Sequence, residues 1–144
     1  MTLDGEGQGS VLFVCVENAG RSQMAEAFAT RLGIVSRSAG TIPSAELNPA
    51  VVSAMKEKGI DMSGRKPSIL TQDMISEADL VVTMGCSVEE ACPRPMVAAM
   101  RKKLIEWHIE DPKGKSIDTV RKIRDEIERK IMDLFSQKRL KQKG

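Results

Sequence analysis

The chain has 144 residues, of which 41% are hydrophobic and 3% aromatic, with a formal net charge of +2. That is the size and composition of one ordinary domain around a single core, which excludes global disorder; the charge is too slight to call for a nucleic acid or a membrane surface as partner. With no tyrosine, the interior has to be filled by Val, Ile, Leu, Met and Ala.

Met1 to Ser10 is polar and glycine-rich, expected to be a loose lead-in and not a signal peptide. Val11 to Cys15 is a continuous apolar run, as for a strand buried on both faces. From Arg21 to Leu32 the apolar Met24, Phe28 and Leu32 recur at helical spacing, and Gly33 offers a C-cap. Ile34 to Ser38 reads as a short second strand. Pro49 to Lys58 reads as a helix with proline near its start and Gly59 at its end. Thr71 caps a further helix to Ala78 with Met74 and Ile75 inward, and Asp79 to Met84 is the third strand. Lys103 to His108 is the fourth strand signal. In the last helix Ile117, Val120, Ile123, Ile127, Ile131 and Leu134 form one apolar stripe, with Asp118–Lys122 and Glu126–Lys130 pairs outside. No apolar run approaches the roughly 18 residues of a membrane-spanning helix. The expected organisation is a lead-in over 1–10, one domain over 11–136 and a basic tail over 137–144.

Strands alternating with helices predict an α/β fold, a parallel sheet covered on both faces. Functional groups in such folds gather at the carboxyl ends of strands. Cys15 closes strand one and Cys86 lies just past strand three. If strand one has strands two and three as neighbours, both thiols lie at one edge of the sheet, where adjacent strands are about 4.8 Å apart. The three cysteines, Cys15, Cys86 and Cys92, are an odd count. In the reducing cytoplasm expected here, that argues against a disulfide framework and for catalytic, redox or metal duty.

Five residues separate Cys15 from Arg21, in the loop between the first strand and the first helix. A loop in that position, Val16, Glu17, Asn18, Ala19, Gly20, Arg21 and Ser22, presents consecutive backbone N–H groups to one point. The helix dipole adds positive potential there, so the place suits a tetrahedral oxyanion. Gly20 lets the backbone turn closely, Arg21 offers a forked pair of donors, and Asn18 can bond the loop's own backbone. The same field favours Cys15 as a thiolate nucleophile, and Ser22 can donate its hydroxyl to that sulfur. A nucleophile inside an anion pocket describes covalent catalysis on phosphate or arsenate.

The stretch "VLFVCVENAGRSQMAEAF" resembles the anion-binding loop of the low-molecular-weight protein tyrosine phosphatase superfamily, and specifically of its thioredoxin-coupled arsenate reductases. The similarity continues through "SAGT", "NPAVVSAMKEKGIDMS", "ADLVVTMGC", "DP" and "VRKIRDEIERKI", from Val11 to about Phe135. The resemblance implies a three-layer α/β/α fold with a four-stranded parallel sheet in the order 2-1-3-4 and no cofactor. It implies Cys15 as nucleophile, Arg21 as oxyanion clamp and Asp111 as the acid that protonates the leaving oxygen. Cys86 and Cys92 stand where the reductases carry their second and third redox cysteines. The implied relay runs from Cys15 to a Cys15–Cys86 disulfide, then to a Cys86–Cys92 disulfide that thioredoxin reduces. Cys86 and Cys92 are six positions apart, roughly 9 Å along a helix axis. A disulfide needs Cα atoms within about 7 Å, so the segment has to loop out or unwind on oxidation.

The alternative within the superfamily is a phosphatase acting through a Cys15 phosphoenzyme. Against it, the position of the phosphatases' second loop cysteine holds Gly20, and Lys113 follows Asp-Pro where an aromatic residue is usual. Within the reductases, Cys86 and Cys92 are one residue closer than in better-known members, and Gly85 reads as an extra residue. Glu17 beside an anion loop has to point outward or be paired. Asn18, Glu26 and Ser38 match part of a cation site found in some relatives, without a fourth carboxylate, so no metal is expected. His108 with three cysteines fits no usual zinc spacing. A reading of another class is a non-catalytic anion or nucleic-acid module using Lys138, Arg139, Lys141 and Lys143. The plainer reading of those cations is a helix end that they complement.

Overall fold

The structure is a computed structural model that describes residues 10–85 and 103–143, with side chains as far as residue 135. Four strands, β1 (Ser10–Cys15), β2 (Val35–Gly40), β3 (Leu80–Met84) and β4 (Leu104–Trp107), form one sheet in the order β2-β1-β3-β4. All three pairings are parallel, as the alternation of strands and helices predicts. The central β1 is apolar at almost every position because it is covered on both faces.

Alternate residues of β1 divide the core. Val11, Phe13 and Cys15 face the larger layer, with Met24 and Phe28 of α1 (Arg21–Arg31), Val51 and Met55 of α2 (Pro49–Lys56), and Ile123, Ile127 and Ile131 of α4 (Ile117–Lys143). Leu12 and Val14 face a smaller layer closed by Leu70 and by Ile75 of α3 (Gln72–Glu77). The sheet order and the helices on both faces make the three-layer α/β/α arrangement. Met55 and Met84 are fully buried, while Met74 packs only partly against the smaller layer.

The helix starts follow their signals, while α2 ends at Lys56 and not at the expected Lys58. Asn48 Oδ1 accepts from the Ala50 amide at 2.9 Å with Pro49 in the first turn of α2, and Thr71 Oγ1 accepts from the Met74 amide at 3.2 Å. On α4, Asp118 pairs with Arg121, and Arg121 and Arg124 both reach Glu57 across α2. Trp107 packs against the larger core, with Lys130 Nζ 5.8 Å from its ring centroid. No described helix is long and apolar enough to cross a membrane.

The register places the site. Cys15 pairs with Gly40 on one side, and Val14 pairs with Thr83 on the other, one residue short of the end of β3. The carboxyl ends of β1, β2, β3 and β4 therefore open on one edge of the sheet.

Candidate active site

The loop after β1 owes its shape to where its carbonyls go. The carbonyls of Cys15, Val16, Glu17 and Ala19 accept from the amides of Thr41, Ile42, Ser44 and Asn48, at 2.9 to 3.3 Å. With these carbonyls tied to the segment after β2, the Asn18 amide turns to the Cys15 sulfur. The segment after β2 comes close enough for these bonds because Gly40 has no side chain. A Cβ there would stand 2.6 Å from the Val16 carbonyl oxygen and 2.9 Å from the Asn18 amide.

Asn18 is the keystone. It is fully buried in the left-handed region at φ +54, which asparagine tolerates better than other side chains. Its Oδ1 accepts from Gln23 Nε2 at 3.1 Å and from the Ser68 amide at 2.8 Å. Its Nδ2 donates to Ser22 Oγ at 2.7 Å. Because that bond makes Ser22 Oγ an acceptor, its own hydrogen is free to point at Cys15 Sγ, 2.9 Å away. The Asn18 amide lies 3.2 Å from the same sulfur. Two hydrogen-bond donors thus converge on one sulfur. α1 begins at Arg21 with no side-chain cap on Gly20 and no acidic residue in its first turn, leaving the positive helix end open.

Arg21 is buried. Its Nη1 donates to the Ile109 carbonyl at 3.0 Å and its Nη2 lies 3.7 Å from Asp111 Oδ2. Asp111 is 55% exposed, and its Oδ1 accepts from the Lys113 amide at 3.0 Å. The Asp-Pro turn, closed by the Asp111 side chain, sets the carboxyl beside the Arg21 guanidinium. Glu17 is paired, accepting from Lys113 Nζ at 3.0 Å. The hydrogen bond that Lys113 donates to Glu17, with the carboxylate's charge, raises the Lys113 ammonium above its ordinary value.

A cavity of about 570 Å³ opens above the thiol. Its lining includes Cys15, Gly20 and Arg21 with Leu47, Asp111 and Pro112. Gly20 lets Pro112 approach the loop: a Cβ there would stand 2.9 Å from Pro112 Cγ.

The structure thus brings Cys15, the 16–22 loop, Arg21 and Asp111 together. Cys86 and Cys92 lie outside the described residues. Sequence reasoning passed over Gln23, Gly40 and the Ile109 carbonyl. Only Gly40 left a signal, as the glycine of "SAGT". The three residues weighed as cation ligands are engaged within the protein. Glu26 Oε1 accepts from Ser38 Oγ at 2.6 Å and pairs with Arg65 Nη1 at 3.3 Å, and both amide groups of Asn18 are spoken for.

Known proteins share this architecture. The chain is 38% identical over 133 residues to a putative arsenate reductase of Halobacterium salinarum, covering 87% of this chain and 89% of that one. A thioredoxin-dependent arsenate reductase of Corynebacterium glutamicum superposes with a TM-score of 0.74 at 34% identity, covering 92% of this chain and 63% of that one. An arginine phosphatase of Geobacillus stearothermophilus superposes with a TM-score of 0.83 at 28% identity, covering 93% and 95%. The family model described as low molecular weight phosphotyrosine protein phosphatase matches residues 10–144. The chain belongs to that family.

Proposed function

We propose that the protein reduces arsenate to arsenite through a thiolate at Cys15 and a relay of Cys15, Cys86 and Cys92, with thioredoxin as electron donor. The observation that carries this is the sulfur of Cys15 at the foot of the loop before α1, held by Ser22 and the Asn18 amide, with Arg21 and Asp111 paired in the same site. The arsenate reductase similarities at 34% and 38% identity support the reaction, and the Corynebacterium protein's thioredoxin dependence supports the donor.

The chemistry follows from these groups. The Cys15 thiolate attacks arsenic while Asp111 gives its proton to the departing oxygen, so a sulfur–arsenic bond forms and water leaves. The loop amides and Arg21 hold the equatorial oxygens. The Cys86 thiolate then attacks Cys15 Sγ. As the sulfur–sulfur bond forms, the electron pair of the sulfur–arsenic bond passes to arsenic, which leaves as arsenite. Cys92 attacks Cys86 in turn, releasing the Cys15 thiolate, and thioredoxin returns two electrons to the Cys86–Cys92 disulfide. In support, β3, which leads into Cys86, is hydrogen-bonded to β1, which ends on Cys15. In this reading residues 11–136 are one catalytic domain, flanked by a lead-in and a basic tail.

One observation favours a second reading. The cavity above the loop is far roomier than a single tetrahedral oxyanion requires, as a phosphatase with a leaving group to hold would need. NADPH oxidation with thioredoxin and thioredoxin reductase separates the two. Arsenate-dependent turnover lost in Cys86→Ser and Cys92→Ser is expected. No turnover, with phosphomonoester hydrolysis that needs Cys15 alone, would make the protein a phosphatase.

A further inference from the structure

We infer that Gly85 is the seat of the Arg21 guanidinium, a positioning residue for the oxyanion clamp; this deepens the function proposed above and rests on it. Gly85 follows β3 with φ +88, and its amide donates to the Trp107 carbonyl at 2.8 Å, which pins it to the end of β4. A Cβ on Gly85 would stand 1.8 Å from Arg21 Nη1, 3.0 Å from Arg21 Cζ and 2.5 Å from the Ile109 carbonyl oxygen. Gly33, Gly59, Gly64 and Gly114 also have positive φ, but a Cβ on any of them would meet nothing within 4 Å. Those four serve the backbone. Gly85 serves the backbone and the arginine at once.

The guanidinium lies against the Cα of Gly85, reaching the Ile109 carbonyl with Nη1 and facing Asp111 with Nη2. Any side chain at position 85 has to displace either a backbone carbonyl next to β4 or the arginine head. The arginine moves more easily. Its movement breaks the Ile109 bond and the Asp111 contact together, and the forked donors lose their aim at an anion in the loop. Cys15 keeps its partners, because the bonds from Ser22 and Asn18 to its sulfur involve neither Arg21 nor Gly85. The residue that looked superfluous before Cys86 therefore has a use: it ties the chain carrying that thiol to the clamp.

The test reads anion binding, not turnover. Inorganic phosphate is titrated as protection of Cys15 against iodoacetamide, in the full chain, with folding checked by thermal melting. Gly85→Ala is expected to raise the half-protecting phosphate concentration by about tenfold or more, with the unprotected alkylation rate changed less than about twofold. Gly85→Asn, which tolerates the backbone angle but carries a Cβ, should do the same and stands in if the alanine variant does not fold. Gly59→Ala, with the same kind of angle and open space, should keep wild-type protection. In an Arg21→Lys background, Gly85→Ala should cost less than about twofold further. Wild-type protection in Gly85→Ala or Gly85→Asn, or an undiminished loss in the Arg21→Lys background, overturns the inference. A wild type that phosphate and arsenate both fail to protect refutes the anion pocket itself, and this inference with it.

Discussion

Replacing Asn18 by alanine tests whether one side chain holds the loop. The substitution removes three hydrogen bonds, to Ser22 Oγ and from Gln23 Nε2 and the Ser68 amide. At a net of about 1 kcal/mol each, these are worth about 3 kcal/mol. Forcing alanine into the left-handed region at φ +54 adds about 1 kcal/mol. A loss of about 4 kcal/mol is a large part of a normal folding free energy, and for a chain of this size it lowers the melting temperature by about 12 °C. Asn18→Gly removes the same bonds without the backbone penalty and should melt about 3 °C above the alanine variant. Both variants lose the restraint on Ser22, so iodoacetamide should alkylate Cys15 more slowly at neutral pH than in the wild type. Thermal melting and the alkylation rate are the two assays. An Asn18→Ala protein that melts within about 3 °C of the wild type would refute this reasoning.

Gly40→Ala puts a methyl group against the Val16 carbonyl and the Asn18 amide, neither of which can give way without moving the loop. Phosphate protection of Cys15 should weaken by about tenfold or more, while unchanged protection would show that the loop tolerates the shift. Glu57 is held down to about 2 from 4.5, first by its hydrogen bond from Arg121 and then by that from Arg124. A folded value below the unfolded one gives stability that is present above about 4.5 and lost as pH falls toward about 2. The difference in urea midpoint between wild type and Glu57→Gln should therefore be constant from pH 7 to 5 and shrink below that. A difference independent of pH would contradict the assignment. Lys103 Nζ donates to the carbonyls of Ile75 and Ala78, both at 2.6 Å, at the end of α3. Lys103→Met should cost about 1 kcal/mol, or about 3 °C in melting temperature, and no measurable loss would show that water replaces the cap.

The parts of the fold legible in the sequence are those whose signal is local. Val11 to Cys15 reads as a buried strand because every residue is apolar, and the stripe from Ile117 to Leu134 reads as a helix because its period is helical. β2 is less legible. "VSRSAG" has no clear alternation, and the strand extends to Gly40 because β1 offers it a hydrogen-bonding edge as far as Cys15. The same division holds at the site. Cys15, the loop, Arg21 and Ser22 are contiguous, and their chemistry follows from lying between a strand and a helix. Asp111 needed the family resemblance, since an Asp-Pro turn occurs in many proteins. Gln23 and the Ile109 carbonyl act across 43 to 88 residues of sequence, and no local pattern marks them. Arg124, on a helix whose charged residues read as solvated, is buried because it reaches the Ala54 carbonyl and Glu57 at the end of α2.

The three-thiol relay is tested most directly by a single turnover without reductant. Reduced Cys92→Ser protein is mixed with one equivalent of arsenate, quenched in acid, and its disulfides are mapped by mass spectrometry. The relay predicts one arsenite released per chain and a trapped disulfide joining Cys15 to Cys86. Three free thiols in the wild type after the same treatment, with phosphate esters hydrolysed through Cys15, would contradict it.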